Sequence, residues 1–353
     1  MRSCYVLILA GLLLSQTVSV RPGFAAAPPQ EGGPKVGDSA PELRVSEWIK
    51  GEPISRFERD QVYVVEFWAT WCGPCIFAMP HLSEVQRQYK DMGVTVIAVD
   101  VMDQDLDAAR ALIKKMGMTI ENRVAIDANT TNDKVGVMAK AWLGEDRAIP
   151  RCLIVDRDRK IAWIGHPMRV DGPLHAVVAG TYDAPKQAEI DRRFEELDSQ
   201  LGAAKRDKQW QMVLAILDQM HSVDPFSTPL NYTTRVKAWI ELGDYKSANT
   251  FVRELVTESS DLRLIGQLVG QLLSAPDKSK VDIDFVLDMA KKASNNGESN
   301  DPVALSALAR AFEAKEDIAS AIRVWTKMLE LDDPLIDKDS LKARLDKLKT
   351  NQK

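Results

Sequence analysis

The two cysteines of the motif WCGPC, Cys72 and Cys75, have the spacing of a reversible dithiol. The apolar run before them, residues 62–68, has the composition of a buried strand, and the apolar spacing after them is helical. Cys72 is therefore expected at a helix N-terminus, where free N–H groups and the helix dipole stabilise a thiolate. Because only the thiolate attacks a disulfide, the motif predicts thiol–disulfide exchange.

Two other interpretations of this cysteine pair are a structural disulfide and half of a zinc site. A zinc site needs two further Cys or His ligands at motif spacing, and the sequence has none. The loop between the cysteines is also too short to hold much of the fold together. Cys152 is interpreted as a buried packing residue, with a redox partner of Cys72 or Cys75 as the alternative.

Glu66 lies six residues before Cys72, in a strand that is otherwise apolar. Burial at that position would raise the pKa of the carboxyl group by desolvation and suit it to exchange protons with the Cys75 thiol. The alternation of side chains along the strand does not by itself decide whether Glu66 points to the core or to solvent.

The elements that position these residues alternate between strands and helices over residues 37–183. The predicted strands are 62–68, 94–101, 123–127, 151–156 and 160–164, and the predicted helices are 74–90, 106–115, 133–143 and 172–180. This order predicts an α/β fold with a central mixed sheet flanked by helices. The run Asp103–Gln104–Asp105 is interpreted as a solvated turn.

Residues 186–353 contain no cysteine, and their apolar spacing is helical throughout. Trp210, Tyr245 and Ile318 occupy equivalent positions at separations of 35 and 73 residues, and a degenerate unit near 283–290 fills the gap. A period near 34 residues with two helices per unit is typical of tetratricopeptide repeats. We therefore predict an all-α helical-repeat domain that binds a protein partner, with an irregular helical bundle as the alternative.

The N-terminus has the pattern of an export signal. Arg2 precedes an apolar stretch, and Ala25, Ala26 and Ala27 follow it, so residues 1–27 are predicted to be a signal peptide and 28–36 a flexible leader. An uncleaved membrane anchor is the alternative. Export places the protein in the periplasm or another extracytoplasmic space. The net charge of −5 and the lack of a basic stripe give no support to nucleic-acid binding.

Residues 36–182 resemble the TlpA/ResA-like exported thiol–disulfide oxidoreductases, which have a thioredoxin fold. The resemblance is carried by the sequences GDSAP at 37–41, VVEFWATWCGPC at 64–75, MP at 79–80 and AIPRCLIVD at 148–156. It implies a thioredoxin-like domain over residues 37–183. The helical residues 186–353 resemble tetratricopeptide-repeat proteins more loosely.

The resemblance also implies roles for individual residues. An acid at the position of Glu66 would lie beneath the disulfide, and Pro150 would be a cis-proline whose loop lies against the dithiol. Ile149 would then offer backbone hydrogen bonds to an extended substrate. The residues expected to complete the substrate-binding surface are Trp71, Gly73 and Pro74. Arg151 and Cys152 depart from the threonines typical of the family, and Arg151 is interpreted as a solvated side chain.

Together these features predict an exported enzyme that reduces protein disulfides. Cys72 attacks the substrate disulfide, and Cys75 resolves the mixed disulfide. The Gly73–Pro74 dipeptide is typical of reducing thioredoxins and favours a reductase over an oxidase. An upstream thiol electron donor is expected, because an oxidising compartment leaves the pair as a disulfide. No cofactor and no metal are expected. The alternatives are a redox-linked adaptor, whose helical repeats bind a partner, and a peroxiredoxin-like peroxidase, whose Pro-x-x-x-Thr-x-x-Cys motif is missing.

Overall fold

The computed structural model describes residues 32–117, 120–128, 135–226, 229–259, 261–331 and 336–350. The predicted signal peptide and residues 28–31 of the predicted leader lie outside this part of the chain. Within it, every strand precedes residue 166, and the elements after residue 183 are helices. No helix in the described ranges is both long and apolar enough to cross a membrane.

A six-stranded mixed sheet forms the centre of the first half, in the order β1-β4-β3-β2-β5-β6. The strands are β1 (Val45–Lys50), β2 (Val62–Trp68), β3 (Val94–Asp100), β4 (Arg123–Asp127), β5 (Arg151–Val155) and β6 (Ile161–Gly165). Strand β2 runs parallel to β3 and antiparallel to β5, while β3 and β4 are parallel. This topology confirms the predicted α/β thioredoxin-like fold.

Three helices cover one face of the sheet: α1 (Gly73–Tyr89), α2 (Leu106–Met116) and α3 (Asp171–Ala179). The alternation along β2 decides which side chains meet them. Val64 packs with the α1 residue Leu82, whereas Val65 and Phe67 point to the opposite face, which loop residues and Trp142 cover. Burial on both faces explains why β2 is apolar throughout, apart from Glu66.

The structure corrects several predicted elements. Strand β1 was not predicted, because its sequence VSEWIK is a half-buried edge without clean alternation. Strands β3 and β5 each end one residue earlier than predicted, and β6 lies one residue later. In the predicted helix 133–143, residues 133 and 134 lie outside the described part, and helical backbone begins only at residue 137. It begins there because the Asp127 carboxylate accepts the N–H groups of Met138 and Ala139 at 2.8 and 2.9 Å.

The second half consists of consecutive helices, each packed against the next along most of the chain. They are α4 (Ala184–Arg206), α5 (Trp210–Val223), α6 (Pro229–Glu241), α7 (Tyr245–Glu258), α8 (Leu262–Leu272), α9 (Ile283–Ala293), α10 (Pro302–Ala314), α11 (Ile318–Glu330) and α12 (Lys338–Thr350). Helices α5, α7, α9 and α11 begin 35, 38 and 35 residues apart. Three of them begin after an aspartate N-cap, at Asp244, Asp282 and Asp317.

The two halves are joined by direct contacts rather than by a linker. Asp191 of α4 accepts hydrogen bonds from Trp163 Nε1 of β6 at 2.9 Å and from Arg169 Nη2 at 2.6 Å. The Arg169 guanidinium also lies over the ring of Phe194, 4.1 Å from its centroid. Helix α4 is therefore anchored to the sheet-containing half.

Candidate active site

The dithiol lies where β2 ends and α1 begins. Cys72 is the N-cap residue of α1, and its sulfur accepts the Cys75 N–H at 3.3 Å. The two cysteines form a disulfide with an S–S distance of 2.02 Å. The first turn of α1 carries no acidic side chain, so nothing there opposes the field of the helix N-terminus. A reduced Cys72 would be stabilised as the thiolate.

The two sulfur-bearing residues differ in their access to solvent. Cys72 is 5% exposed and Cys75 is fully buried. Around Cys72 the predicted substrate-binding residues Gly73 and Pro74 are exposed, and Trp71 is 63% exposed. An incoming disulfide can therefore reach Cys72 before Cys75.

Glu66 lies on the face of the sheet that α1 covers, since it alternates with Val65 and Phe67 of the opposite face. It is fully buried, and neither carboxylate oxygen has a hydrogen-bond partner in the part of the chain that the structure describes. Burial raises the pKa of Glu66 from 4.5 to about 8. The structure thus excludes the solvent-facing orientation that the sequence left open. At neutral pH the carboxyl group holds its proton and can exchange it with a neighbouring buried group.

Cys152 pairs in register with Glu66 across β2 and β5. It is a fully buried free cysteine, packed among apolar side chains. Burial, followed by the charge of Glu66, raises the pKa of the Cys152 thiol. A thiol in this environment is inert as a nucleophile.

The peptide bond between Ile149 and Pro150 is cis, as the resemblance implied. Ile149 packs against the apolar cluster that contains both cysteines of the dithiol, so the cis-proline loop lies beside the disulfide. The next residue, Arg151, forms an ion pair with Asp146 at 2.5 Å. Its guanidinium is therefore directed to a neighbouring loop.

Sequence reasoning missed the support of the loop between β2 and α1. The carboxylate of Asp103 accepts the Thr70 N–H at 2.8 Å and the Thr70 hydroxyl at 3.0 Å. The interpretation of Asp103 as a solvated residue was wrong, because it is buried. Asp100 is buried nearby, and burial, then the Asp103 carboxyl group, raises its pKa to about 8. The sequence signal was an acid directly after an apolar strand.

Comparisons with known proteins agree on the class of this site. Residues 35–172 match the Redoxin family. The protein FixW of Rhizobium leguminosarum is 25% identical over 204 residues, which cover 54% of this chain and 92% of FixW. The thiol-disulfide oxidoreductase ResA of Bacillus thuringiensis subsp. konkukian is 30% identical over 129 residues, or 36% of this chain and 67% of ResA.

A solved structure is also similar. The thiol-disulfide isomerase from Corynebacterium glutamicum is 23% identical, with a TM-score of 0.35, and the match covers 41% of this chain and 97% of that structure.

Proposed function

The chain belongs to the ResA-like thiol–disulfide oxidoreductases of the Redoxin family, and from this premise we propose that it reduces disulfides of client proteins outside the cytoplasm. The observation that carries the proposal is the difference between two cysteines at a helix N-terminus: Cys72 keeps 5% exposure among exposed neighbours, whereas Cys75 is fully buried. That difference supports attack on the client by Cys72 and resolution of the mixed disulfide by Cys75.

In the first step, the Cys72 thiolate attacks one sulfur of the client disulfide. An S–S bond forms between Cys72 and the client, the client's own S–S bond breaks, and the second client sulfur leaves as a thiolate that takes up a proton from solvent. The free N–H groups at the start of α1 stabilise the attacking thiolate. The exposed indole of Trp71 and the backbone of Ile149, next to the cis Pro150, would hold the client segment.

In the second step, Cys75 attacks Cys72 and releases the client as a dithiol. The buried Cys75 thiol must lose its proton in an apolar layer, and Glu66 would serve as the acceptor when it is ionised. The proton then passes to the departing client sulfur or to solvent. Two electrons and two protons have moved to the client, and the enzyme is left with the Cys72–Cys75 disulfide. An upstream thiol donor must supply two electrons for the next cycle.

Export and the reducing direction are parts of this proposal. The pattern of residues 1–27 supports a signal peptide, and the Gly73–Pro74 dipeptide supports a low reduction potential. Because an oxidising compartment holds the pair as a disulfide, a dedicated donor would keep it reduced.

The test is to trap the mixed disulfide. A Cys75→Ser protein, reduced and mixed with a peptide that contains one disulfide, should accumulate a covalent adduct that mass mapping assigns to Cys72. A Cys72→Ser protein should form no such adduct, because Cys75 is buried. An adduct at Cys75 in the Cys72→Ser protein, or none in either variant, would contradict the proposal.

A second candidate function is that of a redox-linked adaptor, favoured by helices that repeat at intervals of 35–38 residues and expose a surface toward the dithiol half. A cellular experiment distinguishes the two functions. If a Cys72→Ser strain shows the same defect as a strain that lacks the protein, the chain acts as a reductase. If the Cys72→Ser strain behaves like wild type, the chain acts by docking a partner alone.

A further inference from the structure

A cleft of about 950 Å³ lies between the dithiol helix and the helical half. One wall is formed by Ile76 and Phe77 of α1 with the end of α2, and the other by α8 and α10. Ile76 follows Cys72 by four residues, which is about one helical turn on the same face. One end of the cleft is therefore formed by the first turns of the helix that carries the dithiol, and the cleft extends from there along the helical half.

The cleft is positively charged, although the whole chain has a net charge of −5. The charged side chains that line it are Lys115, Arg263, Arg310 and one carboxylate, Asp301. Arg263 and Asp301 form an ion pair at 3.2 Å and offset each other. Two cations, Lys115 and Arg310, remain for an occupant, because neither has a hydrogen-bond acceptor or an ion pair among the described residues.

Arg310 is the more informative of the two cations. Its side chain is half-buried, and burial, followed by the charge of Arg344, lowers its pKa. Glu313, the acid whose charge acts on Arg310, is already engaged by Arg344 through two hydrogen bonds at 2.8 and 2.7 Å. A partly desolvated guanidinium beside another cation is unfavourable unless an anion pairs with it.

Gly270 leaves space around this guanidinium. It lies inside α8, where glycine is a poor helix former. A Cβ atom at Gly270 would meet only Arg310 Nη1, at 3.8 Å, whereas one at Gly266 would press on the Ala304 backbone at 3.3 Å. Packing explains Gly266 but not Gly270, and the absence of a side chain at Gly270 leaves the cleft open beside Arg310.

We propose that this cleft binds an extended, acidic segment of the client protein, next to the disulfide that Cys72 attacks. The inference rests on the proposed reductase function and specifies its client class. Carboxylates of the segment pair with Arg310 and Lys115, and its apolar side chains contact Phe77, which is 47% exposed. The net charge of the whole chain, −5, would by itself repel an acidic peptide. A preference for the acidic peptide would therefore have to come from local contacts in the cleft.

The experiment compares two synthetic peptides on the reduced full-length protein. Both carry the same intrachain disulfide, followed by a short segment that contains Asp and Glu in one peptide and Asn and Gln in the other. At low ionic strength we expect the acidic peptide to be reduced about fivefold faster, a modest gain typical of partly exposed charge pairs. The preference should fade at about 0.5 M salt, because screening weakens such pairs.

Variants locate the preference in the cleft. The double substitution Lys115→Gln with Arg310→Gln should bring the ratio of the two rates close to one, and Gly270→Leu should do the same by filling the space. Lys114→Gln is the matched control, because Lys114 is exposed beside Lys115 but does not line the cleft. Each ratio compares two peptides on one protein, so partial unfolding lowers both rates and leaves the ratio interpretable.

Three outcomes would overturn the inference. A ratio of one on the wild-type protein shows that the acidic segment is not recognised. A preference that survives the double substitution shows that it is recognised elsewhere. If the wild-type protein reduces neither peptide, the reductase function itself fails and the inference falls with it. Equal reduction of both peptides leaves the reductase function standing, so the two failures are distinguishable.

Discussion

Glu66 keeps its proton at neutral pH, whereas an exposed carboxyl group would be ionised. It is fully buried between apolar layers, and neither oxygen has a hydrogen-bond partner among the described residues. Burial raises its pKa to about 8. Burial of an unpaired charge is expensive, so the folded protein favours the protonated form. A group of this kind is a weak point for stability but is well matched to proton exchange near neutral pH.

Replacement of Glu66 by Gln should slow the resolving step. Without a proton acceptor, release of the client from the mixed disulfide is expected to fall about 10²-fold at pH 8, the lower end of general-base contributions. The rise of the wild-type rate as pH passes about 8, where Glu66 ionises, should disappear. Rapid-quench measurement of client release checks both effects, and an unchanged rate would remove Glu66 from the mechanism.

Stability gives an independent readout of the same residue. Between pH 4.5 and about 8, the folded protein keeps the Glu66 proton that the unfolded chain has lost, so stability falls as pH rises through this window. Glu66→Gln does not titrate and should be more stable than wild type by about 3 to 5 kcal/mol above pH 8, with no such gain below pH 4. Urea unfolding at several pH values measures the difference. A gain that does not depend on pH would contradict the assigned pKa.

The three cysteines of the described residues should differ sharply in reactivity. Cys72 caps a helix N-terminus and keeps 5% exposure, while Cys75 and Cys152 are fully buried. In the reduced native protein, iodoacetamide should modify Cys72 first, because the helix N-terminus stabilises its thiolate. Mass mapping after a short exposure checks the order. Earlier modification of Cys75 or Cys152 would reverse the assigned roles.

At the scale of elements, the junction between β2 and α1 depends on a contact from the loop after β3. The two hydrogen bonds from Thr70 to Asp103 fix the backbone two residues before Cys72. Asp103→Ala should lower the free energy of unfolding by about 1–3 kcal/mol, because it leaves a backbone N–H near the core unpaired. Urea unfolding measures the loss. Asp91→Ala, on an exposed turn, is the control, and an equal effect of both substitutions would deny Asp103 a special role.

The elements that could be predicted from the sequence are those with an unambiguous pattern. The apolar run of β2 and the helical spacing after Cys75 were sufficient to place the dithiol. The alternation along β2 could not decide the orientation of Glu66, because that depends on which face α1 covers. Strand β1 was missed because an edge strand that pairs only with β4 needs no continuous apolar run. The contact of Asp103 with Thr70 joins residues 33 positions apart, which no local pattern reveals.

At the scale of the whole molecule, the sequence revealed the periodicity of the second half. It did not reveal how the helices of that half pack against the first half. The spacing of Trp210, Tyr245 and Ile318 predicted helices that do begin at those residues. No sequence pattern shows that α8 and α10 face the first turns of α1 across a cleft. That arrangement depends on how α4 is anchored to the sheet-containing half.

Asp191 is the residue at which this anchoring can be tested. Asp191→Ala leaves the buried Trp163 N–H and the largely buried Arg169 guanidinium without their acceptor. The expected loss is about 3–5 kcal/mol, typical of a buried charge deprived of its partner. Calorimetry should also show the halves unfolding in separate transitions. Glu189→Ala, on the exposed side of α4, should change little. Single-transition unfolding of the Asp191→Ala protein at wild-type stability would contradict this role.

The central claim is that the Cys72–Cys75 pair gives electrons to client disulfides. The most direct measurement is its reduction potential, obtained by equilibrating the full chain with dithiothreitol buffers, alkylating the free thiols and counting them by mass. We expect a value close to that of reducing thioredoxins, about −270 mV. A value near about −120 mV, typical of a strong oxidant such as DsbA, would contradict it.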